Sequence, residues 1–360
     1  MGKPQYTAPI AHIFLPLLYL LLIIGLVSSS PYNVFAQHEI DPETWIEMRK
    51  MFRNKGPIPT IEEDVSALAG VDVKRAGPRL IDHGPEALPA VHTALLSTEV
   101  EPRHAVRLLQ VMGSIGEKSS VPIVLEFIKK DKKGPLRRDS LLILAFLPVT
   151  EESAALIIDI ATDVNEKWYT RRMAFTWFGF HRDARGRPYA EALLTDPDAE
   201  KQTAGLFVLA RLGDKSVLEP IRQLLAAGPP ANSRDALMLA LAEVTTPEEF
   251  ERWAPSSLSW SSGYKESMLY ARYLAAGPQE KIPLCLEMLS SRTHGHRELA
   301  VRYLLENGHA SELRPHAAFD LEAPGRAALI RNEIRKAGWR IIDTDDEFNI
   351  EPYNSVRIQP

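Results

Sequence analysis

Along residues 201 to 225, KQTAGLFVLARLGDKSVLEPIRQLL, hydrophobic and polar positions alternate with a helical period. Leu206 to Leu212 is apolar at every position except Arg211, the pattern of a helix covered on several sides. Gly213 ends that run, because glycine takes the left-handed cap conformation without steric cost. Ser216 and Glu219 have the spacing of a capping box. Behind them, Val217, Leu218, Ile221, Leu224 and Leu225 follow the i, i+1, i+4, i+7, i+8 rule. The stretch therefore predicts two antiparallel helices joined by a tight turn.

The same unit recurs. Junctions at Gly84, Gly116, Pro148, His181, Gly213, Thr246, Gly277, Gly308 and Gly338 are separated by 30 to 33 residues. A proline follows six of them, as Pro89, Pro122, Pro188, Pro220, Pro283 and Pro315. That places it near a helix start, where a missing amide proton is best tolerated. A small residue recurs early in the helix preceding each junction after the first, as Ala105, Ser140, Ala174, Ala204, Ala236, Ser267, Ala300 and Ala328. Small side chains there let neighbouring helices approach closely.

On these features, RHAVRLLQVMGSIGEKSSVPIVLEFI and KQTAGLFVLARLGDKSVLEPIRQLL resemble HEAT repeats, in particular the short subgroup also found in phycobilisome lyases. The resemblance covers residues 84–338. It implies an all-α fold, an α-solenoid of about eight antiparallel helix pairs stacked into a superhelix, each touching its neighbours. HEAT scaffolds serve many partners, so the resemblance implies a surface for binding rather than a reaction. Residues 37–83 read as an N-terminal helical cap, with Trp45, Ile46, Met48, Met51 and Phe52 as an apolar stripe behind the helix start at Asp41. Residues 339–360 lose the period and read as a tail along the last helix.

The beginning of the chain changes the picture. Lys3 is the one charged residue before Glu39, and Ile13 to Val27 is an unbroken apolar run save Pro16. Val34, Phe35 and Ala36 before Gln37 have the form of a signal-peptidase site, so residues 1–36 read as an export signal cut between Ala36 and Gln37. The destination would be periplasmic or extracellular. The alternative is an uncleaved membrane anchor. Cleavage would move the formal charge from -5 to -6, an acidity that argues against nucleic-acid binding. Composition is otherwise that of a globular protein, 45% hydrophobic and 25% charged. A single cysteine, Cys285, excludes an intrachain disulfide.

Candidate chemistry is sparse. One basic residue stands two or three positions before each small residue: Arg103, Arg138, Arg172, Lys201, Arg234, Lys265, Arg297 and Arg326. We read these as a structural ladder of local ion pairs rather than a ridge for an anionic partner. Lys129 to Lys133, with Arg137 and Arg138, is the densest positive charge and could touch phospholipid or wall polymers; a solvated turn is the plainer reading. In WYTRRMAFTWFGFH, residues 168 to 181, Trp177 and Phe178 register with core positions. Trp168 and Tyr169, beside Arg171 and Arg172 and placed before the helix, have the composition of an interface hot spot.

His294, His296 and Glu298 form an HxHxE, which falls short of the HExxH of zinc hydrolases, so no metal is expected. The acidic run from Asp343 to Glu347 lacks the glycine and closing glutamate of a calcium loop. No GxSxG, GxGxxG or GxxxxGK is present, and neither a catalytic residue nor a cofactor is expected. The sequence points to an exported, non-enzymatic scaffold that binds another protein through a concave or edge surface. The alternatives are a lyase-like accessory holding a small ligand in its groove, and a membrane- or wall-associated structural protein.

Overall fold

The computed structural model describes residues 59–70, 73–97, 100–130, 136–229, 231–255, 261–291, 293–318, 325–343 and 348–353. The expected signal, the cleavage site at Ala36 and Gln37, and the apolar stripe from Trp45 to Phe52 lie outside them. So do Asp131, Lys132 and Lys133 of the basic loop and the acidic run beyond Asp343. No helix among the described residues is long and apolar enough to cross a membrane.

The described chain is mostly helical. It opens with α1 (Ile61–Ala67), held by a capping box between Thr60 and Glu63, and α2 (Val73–His83). There follow α3 (Leu88–Leu96), α4 (Pro102–Ile115), α5 (Ser120–Lys130), α6 (Arg137–Leu144), α7 (Glu151–Thr162) and α8 (Trp168–His181). Next come α9 (Arg187–Leu193), α10 (Ala199–Arg211), α11 (Leu218–Ala226), α12 (Ala231–Val244), α13 (Pro247–Trp253) and α14 (Ser262–Ala275). The series ends with α15 (Pro278–Met288), α16 (His294–Glu306), α17 (Arg314–Ala318) and α18 (Arg326–Lys336).

Five of the glycine junctions behave as the sequence requires. Gly84, Gly116, Gly213, Gly308 and Gly338 all have positive φ, between 62° and 82°, in the left-handed region where a Cβ is strained. At the His181 junction Arg182 takes the left-handed conformation instead, with φ 49°. Gly277, by contrast, has φ -72° and caps the N-terminus of α15, so it starts a helix rather than ending one. Ser216 does not form a capping box with Glu219. Asp214 accepts from Ser216 N, and a short 3-10 turn, Lys215–Val217, leads into α11.

Even- and odd-numbered helices have different neighbours. Each odd helix from α3 onward packs on the even helix that follows it. The even helices pack on one another in order from α2 to α14, and α16 packs on α18. The eight recurrent small residues all fall on even helices, where Ala105, Ser140, Ala174, Ala204, Ser267, Ala300 and Ala328 are buried. One contact joins distant parts of the sequence. α18 packs against α2 and touches α4: Arg331 and Arg335 reach Asp82 Oδ1 at 2.6 and 2.8 Å, and Asn332 Nδ2 donates to Ser114 O at 2.6 Å.

The tail differs from expectation. Trp339–Asp343 (β1) and Phe348–Pro352 (β2) pair as antiparallel strands with Ile341 opposite Ile350, and β1 lies against α18. The strands' β-branched and aromatic residues supply one covered face, on which Ile350 is buried.

Candidate functional site

Five consecutive even helices, α8, α10, α12, α14 and α16, line a groove of about 520 Å³. Its apolar lining is Met173 and Phe180 from α8, Ala204 and Phe207 from α10, and Ala236 and Leu239 from α12. Polar side chains come mostly from the first turns of the same helices or from their caps. Hydroxyls enter at Thr176, Thr203, Ser233, Ser262, Ser267 and Thr293, so each helix or its N-cap brings at least one. Thr176 Oγ1 donates to Arg172 O at 3.0 Å and Thr203 Oγ1 to Ala199 O at 2.8 Å, so both present lone pairs outward. Gly263 matters by its size: a Cβ there would overlap the Asp235 carboxylate, which closes onto the start of α14.

At the α16 end of the groove, His296 is buried, with 3% of its surface exposed. Its Nδ1 lies 3.1 Å from Glu266 Oε2 and 3.2 Å from Ser291 Oγ, and Ser291 Oγ donates to the same carboxylate oxygen. A carboxylate accepts only, so Nδ1 carries a proton. Nε2 has no hydrogen-bond partner. The ring stacks on Tyr270 at 5.2 Å and 14°.

Tyr270 connects this pair to a second polar cluster. Its hydroxyl donates to Glu243 Oε1 at 2.9 Å, and Arg182 Nη2 donates to the Tyr270 oxygen at 3.0 Å. Arg182 also holds both oxygens of Glu243, at 2.9 and 3.0 Å, and Arg211 pairs with Oε1. Glu243, its side chain 4% exposed, thus ties α8, α10, α12 and α14 together. Burial, followed by the Glu243 carboxylate, pushes the Tyr270 hydroxyl above its usual value, which keeps it a donor.

The residues singled out in the sequence are not gathered in one place. Arg172 lines the groove, and its Nε is buried without a partner. Trp168 belongs to α8 rather than preceding it, packs against the core, and has Arg171 and Lys201 each 5.9 Å from its ring. Arg171 Nε donates to Ala161 O at 3.0 Å, and Tyr169 is exposed. Arg137 is held by Glu166 and by Ile128 O, and Arg138 by Asp139, so both are committed to local pairs. The ladder reading fits Arg138, Lys201 on Asp196, and Arg297 on Ser291 O. Among the described residues, Arg172, Arg234 and Arg297 each keep a buried Nε without a partner, and of the three only Arg297 is tied elsewhere, by its Nη1 to Ser291 O in the ladder's manner.

His294 and His296 diverge: His294 Nε2 lies 3.2 Å from Glu333 Oε1 and its ring meets Phe146. No group of three metal-ligating side chains is found among the described residues. Glu243, Glu266 and Tyr270 were not anticipated. The one signal for them was an acid, Glu243, inside the otherwise apolar run ALMLALAEV. No protein-family model and no curated protein matches this chain.

Proposed function

We propose that the chain is an exported, non-enzymatic binding scaffold: a HEAT-like superhelix that holds another protein along the groove of its even-numbered helices. The observation that carries this reading is the groove itself. Five successive helices contribute to one mostly apolar surface of about 520 Å³, built on a core that leaves little to reorganise on binding. Export rests on the apolar run before Ala36.

The reading is tested by placing a photo-crosslinking phenylalanine at Ala236 and irradiating the native extracytoplasmic fraction, with the same residue at exposed Val164 as control. A discrete protein adduct from position 236 alone is expected; its absence overturns the proposal. Mass spectrometry of the native N-terminus tests cleavage after Ala36.

A second reading, a small ligand held by an accessory protein, is favoured by the groove volume, which lies within the ~300–1,000 Å³ common for such sites. A melting-temperature screen against tetrapyrroles separates the two, since a specific ligand stabilises the folded chain by mass action.

A further inference from the structure

We infer that the occupant of the groove is an extended peptide segment with apolar side chains, held through its main-chain amides. This inference rests on the protein-binding reading above and narrows it.

Three features select this chemistry. Met173, Phe180, Phe207 and Leu239 supply apolar bulk, which a sugar would leave unmatched. The hydroxyls recur from helix to helix, and those of Thr176 and Thr203 have committed their protons, so acceptor lone pairs are spaced along the apolar lining. A peptide carries a donor at every residue, whereas a fatty acid carries its polar atoms at one end. Finally, the charged side chains on the lining are Glu200, Asp235 and Glu266 against Arg172, a balance that disfavours an anion such as a fatty acid and suits a neutral or basic peptide segment. Main-chain capture with pockets for alternate side chains is a general mode of peptide recognition.

The test is fluorescence anisotropy of the full chain with a labelled, capped peptide, acetyl-Leu-Ser-Phe-Ser-Leu-Ser-amide, and with sodium dodecanoate as competitor. Saturable binding is expected. Ala236→Trp, which fills the groove, should weaken it more than about tenfold, and Thr176→Val with Thr203→Val, which keeps shape and removes acceptors, by about three- to tenfold. The valine pair keeps the test valid if the tryptophan variant fails to fold. The inference is overturned by absent binding, by binding that neither variant alters, or by displacement with dodecanoate. An Ala236 adduct to a protein together with no peptide binding defeats this inference and leaves the scaffold standing. Absence of both defeats both.

Discussion

At Gly205, in α10, two effects of a single methyl group oppose each other. Alanine is the better helix former by about 1 kcal/mol. A Cβ at Gly205, however, would stand 2.5 Å from Ala190 O, a backbone atom of α9 that cannot swing aside. Overpacking of this kind costs about 1–3 kcal/mol, so Gly205→Ala is expected to destabilise despite its propensity, and urea unfolding measures the sign. Cys285 gives a second residue-scale prediction. Burial pushes its thiol up to about 12, only partly offset by Lys281, so the thiolate is scarce at neutral pH. A disulfide reagent should fail to label the native chain at pH 8 and label one thiol after denaturation. Individual side chains were the least legible level of the sequence. Trp177 and Phe178 were readable as core because register alone decides it. His296 was not readable as a partner of Glu266, because thirty residues separate them and only the approach of α14 to α16 brings them together.

Among elements, the helices were legible where glycine fixed their ends, as at Gly116 and Gly213, since positive φ there excludes continuation. Gly277 misled because glycine also serves as an N-cap, and the local pattern PQEK does not say on which side the helix lies. The β1–β2 hairpin was missed for a related reason. WRIID and FNIEP are short runs whose pairing depends on a covered face supplied by α18 and by α17. Elements are tied laterally by Glu243. Glu243→Ala would leave Arg182 and Arg211 facing each other with no counter-charge, and the expected cost is about 3 kcal/mol, readable as a lower denaturant midpoint with unchanged slope.

Docking of α18 carries a pH dependence. Burial alone would raise the Asp82 carboxyl, but Arg331 and Arg335 outweigh it and hold it below its usual 3.8. Burial likewise opposes ionisation of Glu333, and His294 with Lys336 outweighs it, so that carboxyl is also lowered, from 4.5. A lowered carboxyl stabilises the fold at pH above its unfolded value, and this contribution fades as the pH falls through the lower, folded value. Amides of Arg326–Lys336 should therefore lose hydrogen-exchange protection below about pH 4, ahead of those in α10. Equal loss in both helices would contradict the assignment.

For the molecule as a whole, the thirty-odd-residue period correctly announced a mostly helical chain and located the small residues on the helices that pack side by side. It carried no trace of the contact between α18 and α2. Such a contact joins residues some 250 positions apart, a pairing that no local pattern encodes. Deleting residues 326–360 uncovers the surface that Ala327, Ile330 and Ile334 bury and leaves Asp82 without either arginine. The expected outcome is a lower melting temperature together with enhanced binding of a hydrophobic dye. A truncated chain that melts with the intact one would show the contact to be dispensable.

Because the ion pair to Asp82 is made from residues some 250 positions downstream, α2 waits during synthesis for the last of the described helices. Until then Asp82 and the Ser114 carbonyl stay wet and open to competitors. A stalled nascent chain is thus distinguishable from a finished one at its front end, which gives proteases and chaperones a physical mark of incompleteness.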